Sequence, residues 1–545
     1  MDVDEVHADR PLAHQHFAGL TVAIGALPLS MAIAIASGAS PERGLYTAIV
    51  GGFLISLLGG SRFQIGGPAG AFIVLVAASI ERHGFDGFLL ATFLAGLILI
   101  GIGFLRLGGY IKYIPHPVIV GFTAGIAVII MASQLRDLFG ITPAGKEPAA
   151  FLPKLQALAG AASTVNPAAL AVSFGTIAII LLVRRLRPTW PAFLIAVAAV
   201  SAAATLVALP VETIGTRFGG VPDRLPAPTF PEISLARISD VLPDAFAIAL
   251  LGGIESLLSA VVADAMSGRR HRSNMELVAQ GVANVGSALF GGICATGTIA
   301  RTATNVRSGA VGPVAGMLHA VFLLAFMLFA APLASYIPLA ALAGVLAVVA
   351  WNMAEKQEFL GLLKRSRGEA FVLLVTFGLT VFRDLTEGIV AGVVLGSFLF
   401  MHRMAQFVAV ETGTPLSAED EGAGEERAPV PSPRDVMVYR ISGPLFFGAS
   451  ATVATALERI GDFPRSVILD LSDVPFADSS AAGSLATFVA RARRNGAEIY
   501  VAGAAPAVRQ VLAHEHLAIP DAHFARDVAA ACRRAERRES GARAA

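Results

Sequence analysis

Apolar residues along this chain fall into long blocks rather than the three-and-four rhythm of a half-exposed helix. A helix needs about 20 residues to cross the hydrocarbon core of a bilayer. The uninterrupted runs at 17–37, 87–107, 116–133, 167–183, 189–209 and 314–336 therefore predict spanning helices. Shorter or glycine-interrupted runs at 44–60, 68–81, 242–264, 276–292, 297–307, 338–353, 370–382 and 386–402 predict more, for about fourteen in total.

The pattern changes after Arg403. Residues 411–435, ETGTPLSAEDEGAGEERAPVPSPRD, are acidic and rich in Gly, Pro and Ser, which predicts a flexible linker between a membrane part, 1–410, and a second domain, 436–545. In that domain VMVYRISGPLFF predicts a strand pair, ATVATALERIG a helix and SVILDLSDV a buried strand. SSAAGSLATFVARARRNG predicts a helix ending at Gly496, AEIYVAGA a strand and APAVRQVLAHEHL another helix. Strands alternating with helices predict a small sheet covered by helices.

Composition agrees with this division. Of 545 residues, 55% are hydrophobic and 15% charged, against about 25% charged in soluble proteins. A net charge of +1 offers no basic field for a phosphate backbone, so a nucleic-acid partner is excluded and membrane lipid is the expected surroundings. Cys294 and Cys532 are the only cysteines, too few for a disulfide framework or a thiolate zinc site. The N-terminal MDVDEVHADRPLAHQ is acidic and polar, unlike a cleaved signal peptide, so the first span must direct insertion. Basic residues in short loops (Arg62, Arg106, Lys112, RRLR at 184–187, Arg269, Arg270, Arg272, Lys364, Arg365, Arg367 and Arg403) collect on one side if the N-terminus is inside. With an even span count both termini are then cytoplasmic in an inner (plasma) membrane.

The membrane part carries a weak internal repeat. ALPLSMAIAIASG (26–38) followed by SRFQIGGPAGAFIVL (61–75) corresponds to ALLGGIESLLSAVVADAMSG (249–268) followed by FGGICATGTIARTATN (290–305). Seven spans per half is an odd number, so the second half enters from the opposite side and the two Gly-rich segments meet near the midplane. A helix beginning inside the membrane presents free amide N–H groups and the positive end of its dipole, and two such starts face to face make an anion site. Pro68 suits an early helix position, and Gly66, Gly67 and Gly70 permit close approach. Gly297 and the hydroxyls of Thr296 and Thr298 offer comparable donors on the other side.

Arg301 falls about one turn into the second of these helices, where it adds a fixed positive charge. Glu255, mid-span, is its expected counter-charge and the expected coupling site for H⁺ or Na⁺, with Ser259 on the same face. A purely structural Arg301–Glu255 ion pair is the alternative. Asp264 and the RRHR after it read as a helix end with its cytoplasmic anchor, and His116, between two prolines, as a loop residue rather than a metal ligand. No nucleophile–base set, metal site or cofactor motif is present, which argues against an enzyme.

PLSMAIAIASGASPERGLYTAIVGG (28–52), QIGGPAGAF (64–72), GIESLLSAVVAD, TGTIARTATN, FRDLTEGIVAGVVLG (382–396) and VILDLSDVPFADSSAAGSL (467–485), in this order, resemble the sulfate permease family of anion transporters, solute carrier family 26. The resemblance covers nearly the whole chain. It implies an α-helical polytopic membrane protein of fourteen helices in two inverted repeats of seven, with a core domain moving against a gate domain, a homodimer, and a C-terminal sulfate-transporter and anti-sigma-antagonist (STAS) domain. It implies substrates among sulfate, bicarbonate, chloride and dicarboxylates, bound between Ala69, Gly70 and Ala71 on one side and Gly297, Thr298 and Arg301 on the other, bordered by Leu29 and Ser30. Glu255 matches an acidic position that, as aspartate, helps bind sodium in some bicarbonate-transporting members. Many relatives carry Gln where this chain has Leu29. The DSS at 478–480 resembles the phosphorylatable loop of anti-sigma antagonists, which makes Ser479 and Ser480 regulatory candidates beside the plainer reading of a helix cap. A nucleobase transporter of similar architecture, a membrane sensor and a passive anion channel are the competing readings.

Overall fold

The computed structural model describes residues 12–143, 145, 148, 150–187, 190–413, 436–458, 464–515 and 522–544. The acidic N-terminal segment before Leu12 and residues 414–435 of the expected linker lie outside these. The chain divides into two compact units, 1–396 and 397–545.

In the first unit each expected span coincides with a helix. They are α1 (Leu12–Ala36), the bent α2 (41–58), α3 (70–83), α4 (85–104), α5 (His116–Phe139), α6 (Pro167–Leu186), α7 (Ala192–Leu206), α8 (Leu235–Ser267), α9 (Ser273–Leu289), α10 (Ile299–Arg307), α11 (Val314–Ala334), α12 (Leu339–Met353), α13 (Arg367–Phe382) and α14 (Leu385–Ala405). Eight helices among the described residues are long and apolar enough to cross a membrane by length and composition. The others are short or interrupted for visible reasons. Inside α2 a π-helical turn, Thr47–Gly51, joins two α-helical pieces. Gly84, at φ 70° and ψ 175°, separates α3 from α4 within what would otherwise be one helix of 32 residues, Ile73–Phe104. His116 is not in a loop: with Pro115 as N-cap and Pro117 in the first turn, it is the first residue of α5, because proline at an early helical position loses no intrahelical bond.

The packing pairs reveal the repeat. Helix α1 packs on α11, and moving each helix on by seven, with α1 following α14, gives α8 on α4, which also pack. In the same way α2 on α11 becomes α9 on α4, and α5 on α13 becomes α12 on α6. Small residues allow the closest of these contacts: a Cβ on Gly96 of α4 would overlap the carbonyl of Gly281 on α9, and the reverse holds for Gly281. Close backbone approach through small residues is how helices associate where lipid tails supply no hydrophobic drive.

The second unit is an α/β domain with a five-stranded sheet in the order β3 (Ala409–Gly413), β4 (Val436–Ser442), β5 (Ser466–Asp473), β6 (Glu498–Ala502) and β7 (His523–Ala525). The strands β4 to β7 are parallel, and β3 is antiparallel to β4. This corrects two expectations. VMVYRISGPLFF forms one strand, not two, and its antiparallel partner is β3, which takes residues 411–413 from the expected linker. The helices are α15 (Phe447–Glu458), α16 (Ser479–Arg494), α17 (Pro506–His514) and α18 (Val528–Ala544).

Asp478 caps α16. Its Oδ1 accepts from the Ala481 N–H at 2.9 Å and its Oδ2 from the Phe447 N–H at 2.8 Å, so one carboxylate ties the starts of two helices together. Ser479 and Ser480 follow it, exposed, and neither is the cap. Replacing Asp478 with alanine removes both bonds and should lower the stability of this domain by about 1–2 kcal/mol in a urea titration.

Candidate anion-binding site

The two Gly-rich segments do meet. β1 (Gly66–Gly67) pairs antiparallel with β2 (Thr296–Gly297), Gly66 opposite Gly297 and Gly67 opposite Thr296. The crossing requires glycine for steric reasons. A Cβ on Gly66 would overlap Ile55, one on Gly67 would overlap Nη1 of Arg301, and one on Gly297 would overlap the amide of Gln64. Gly67 also sits at φ 151°, which L side chains rarely adopt.

A helix starts just after each strand. Gly70–Phe72 forms a 3₁₀ turn that leads into α3, and extended Thr298 precedes α10. With nine residues α10 is about 14 Å long, roughly half the hydrocarbon thickness. The first amides of a helix lack an intrahelical partner, which leaves the N–H groups of Gly70 and Ala71 on one side and of Ile299, Ala300 and Arg301 on the other. Pro68 lies before the first helical turn rather than within it, and what it contributes is its carbonyl.

That carbonyl accepts from Nη2 of Arg301 at 3.0 Å, and Ser30 Oγ accepts from the same nitrogen at 3.5 Å. Arg301 is only 5% exposed, yet its Nε and Nη1 have no hydrogen-bond partner. Among the described residues no hydrogen bond or ion pair joins it to Glu255, so the expected counter-charge is not in place. Glu255 is half-buried on α8. Buried guanidinium N–H groups without acceptors are costly, and an anion at the two helix starts would supply acceptors.

The sequence-predicted neighbours gather here with altered roles. Ser30, Ala69 and Ala71 are buried, and Leu29 is half-buried beside Ser30. The hydroxyl of Thr296 donates to the Gly252 carbonyl at 3.0 Å, while the N–H and hydroxyl of Thr298 both donate to Ile65 O, at 3.0 and 3.2 Å. Neither hydroxyl is free for an anion, which corrects the expectation that they are donors to it. Ser259 donates to Thr302 Oγ1 at 3.1 Å, and Thr302 in turn accepts from the Ile65 N–H at 3.1 Å. Ser259 therefore fastens α8 to α10. Asp264 accepts from the His271 N–H at 3.1 Å and lies 2.7 Å from His271 Nδ1, which closes the turn after α8.

The sequence reading missed the helix that holds the crossing in place. On α9, Glu276, Gln280, Asn284 and Ser287 are all buried and recur at helical spacing, so they form one polar stripe. Asn284 accepts from the Ala295 N–H at 2.9 Å and donates to Ala295 O at 2.8 Å. Ser287 donates to Ile293 O at 2.6 Å, and the Ile293 N–H donates to Thr47 Oγ1 at 2.7 Å. The signal was in ELVAQGVANVGS, where polar residues recur on one face of an apolar span. Asn284→Ala leaves both backbone groups of Ala295 unpaired and should cost about 2–3 kcal/mol in a detergent unfolding assay. His319 on α11, fully buried with neither ring nitrogen partnered, was also missed.

The sulfate permease family matches residues 12–376 and the STAS domain family residues 427–531. The chain belongs to the sulfate permease family. Among relatives of this permease, YvdB of Bacillus subtilis (strain 168) is 40% identical over 492 residues, 89% of this chain and 90% of YvdB. The bicarbonate transporter BicA of Synechocystis (strain ATCC 27184 / PCC 6803 / Kazusa) is 32% identical over 520 residues, 91% and 89% of the two chains. In fold, the permease matches the murine Solute Carrier 26 family member A9 anion transporter in its inward-facing state with a TM-score of 0.85, over 97% of this chain and 92% of that one, at 19% identity. This sulfate permease is a multi-pass membrane transporter, not an enzyme, and its C-terminal unit is a STAS domain.

Proposed function

We propose that this permease is a secondary transporter of small oxyanions, with sulfate, bicarbonate and dicarboxylates as the candidate substrates, carried by alternating access. One observation carries the reading: a buried arginine with two unpartnered nitrogens stands where two helix starts converge. The donors left for a ligand are backbone amides and one guanidinium, a set suited to a compact anion. The site residues are Leu29, Ser30, Ala69, Gly70, Ala71, Gly297, Thr298 and Arg301, with Thr298 and Gly297 shaping the crossing rather than donating.

Glu255 remains the proposed coupling group for H⁺ or Na⁺, because a half-buried carboxylate in mid-span is costly unless it takes up a proton or a cation. Ser259 supports it by holding α8 against α10. The proposal extends to a homodimer in the plasma membrane with both termini cytoplasmic, an acidic linker ahead of the STAS domain, and Ser479 and Ser480 as modification sites. Intact-mass analysis of the protein from its own host, showing or lacking phosphate on that segment, tests the last point.

The test of function is uptake of radiolabelled sulfate, bicarbonate and fumarate into proteoliposomes, with pH or sodium gradients imposed. Saturable uptake of one of them, blocked by the unlabelled anions and not by uracil or xanthine, supports the reading; uptake blocked by a nucleobase overturns it. Glu255→Gln should abolish accumulation against a gradient while leaving anion exchange. Flux that neither saturates nor follows either gradient would make the protein a channel.

A further inference from the structure

Glu276 lies outside the proposed anion site, and nothing above gives it a task beyond holding a loop. It is the first acidic residue of α9 and is fully buried. Its carboxylate accepts three hydrogen bonds from neutral donors: the Ser61 N–H at 3.0 Å, Gln280 Nε2 at 2.9 Å and Ser256 Oγ at 3.2 Å. Among the described residues no cation is paired with it. Ser256 in turn accepts from Gln64 Nε2 at 2.7 Å. Gln64 is 2% exposed, its amide packs on Gly297 at the strand crossing, and its Oε1 has no partner. A hydrogen-bonded chain thus runs from a buried carboxylate to the edge of the anion site, and it ends in a buried, unsatisfied acceptor.

Every donor in this chain points toward Glu276, the polarity an ionised carboxylate imposes. We propose that Glu276, acting through Ser256 and Gln64, is a proton-controlled positioning device that sets the affinity of the neighbouring anion site. This inference rests on the anion-binding reading of that site.

The step requires one proton and no other reactant. A proton from water binds Glu276 Oε1, which then donates to Ser256 Oγ. The serine hydroxyl, relieved of its role as donor to the carboxylate, turns to donate toward Gln64. The amide of Gln64 makes a half-turn so that its oxygen accepts from Ser256, and its NH₂ group takes the place of the buried, unpartnered oxygen. The protonated state thereby exchanges a buried, unsatisfied acceptor of Gln64 for a donor and removes one negative charge from behind the crossing. Both changes favour an anion. By linkage, an anion in the site must favour protonation of Glu276 by the same factor.

Among the described residues no rival proton carrier is in contact with Glu276. From α4 the residues facing α9 are Gly96, Ile100 and Gly103, and the turn before α5 contributes the Gly108 N–H, which donates to Asn274. From the loop after α2 come Gly59, Gly60 and Ser61, through their backbone. From α8 come Ser256 and, next in the chain, Glu255. The titratable group nearest in charge is His271, in the turn before α9, where it is paired with Asp264 and lies 3.0 Å, through Nε2, from the Ser273 hydroxyl.

The experiment is a calorimetric and dye-based measurement of proton uptake by the purified full-length permease when sulfate, or bicarbonate at fixed carbon dioxide pressure, is added in weak buffer. Wild type should take up as much as about one proton per anion bound at pH values where Glu276 is ionised in the empty protein and protonated in the occupied one, with less uptake at lower pH, and its anion affinity should fall about tenfold or more as pH is raised across the transition. Glu276→Gln should bind the anion with affinity independent of pH and at least about fivefold less proton uptake. Ser256→Ala, which keeps the carboxylate and its two other donors, should show the same uncoupling, and it carries the test if Glu276→Gln does not fold. Anion binding with undiminished proton uptake in both variants overturns the proposal, as does uptake that disappears only in Glu255→Gln. Failure of wild type to bind either anion would instead overturn the anion-site reading on which the proposal rests.

Discussion

Arg301→Gln should abolish high-affinity anion binding while making the empty protein more stable to heat. Two guanidinium nitrogens stand unpartnered in a residue that is 5% exposed, and charge-assisted bonds to an anion are worth about 1.5–3 kcal/mol each. Losing them lowers affinity roughly a hundredfold or more. The gain in stability follows from the same fact, because glutamine removes a buried charge that has no counter-ion in the empty site. A structural ion pair predicts the opposite sign, since deleting one member of a buried pair destabilises by about 3–5 kcal/mol. Thermal unfolding with and without anion separates the two: wild type should be strongly stabilised by anion, and Arg301→Gln should start higher and gain little. Lysine at this position carries the charge but not the fork that holds the Pro68 carbonyl and an anion together, so Arg301→Lys should retain weak binding, about tenfold or more below wild type.

Gly67→Ala should have the second-largest effect. The residue sits at φ 151° and a Cβ there would overlap Arg301 Nη1. The methyl group must push the guanidinium away from the two helix starts or open the β1–β2 pairing. Backbone conformations of this kind cost non-glycine residues about 1–3 kcal/mol. Uptake should fall at least about tenfold, with the loss mainly in the apparent affinity for anion. Gly70→Ala is the control within the same segment. The closest atoms to a Cβ there are Met353 Sδ at 3.4 Å and Ile130 Cδ1 at 3.5 Å, both ends of flexible side chains, so that variant should be far milder. Equal loss in the two variants would mean that the segment tolerates no bulk anywhere and that the Gly67–Arg301 contact has no special part.

Hydropathy alone located the spans, because each is an apolar run bounded by glycine, proline or charge, and the odd number per repeat made the antiparallel meeting of β1 and β2 a matter of topology. The crossing was legible as a place for the same reason. What sequence could not supply was the assignment of individual hydrogen bonds. Thr296 and Thr298 look like ligand donors in TGTIARTATN, but two carbonyls, Gly252 and Ile65, come close enough to take them. Glu255 looks like the partner of Arg301 because both are charges in apolar spans; yet Arg301 turns toward Pro68 and Ser30. The polar stripe of α9 is hard to see in sequence because its residues are spread one per turn among apolar ones, and only the fold shows Asn284 and Ser287 bonded to the segment that leads into the crossing. The STAS sheet gained a strand from beyond the linker, a pairing between segments more than twenty residues apart in sequence, which local patterning does not encode.

The proposed function requires an anion to bind between the starts of α3 and α10 against Arg301. It is tested most directly by determining the structure of the full-length permease with the transported anion at saturating concentration, using selenate in place of sulfate if sulfate is the substrate. A single anion density is expected within about 3–3.5 Å of Arg301 Nη1 or Nε and of the amides of Gly70, Ala71 or Ile299–Arg301. Density for the transported anion elsewhere in the membrane part, with the guanidinium still unpartnered, would contradict it.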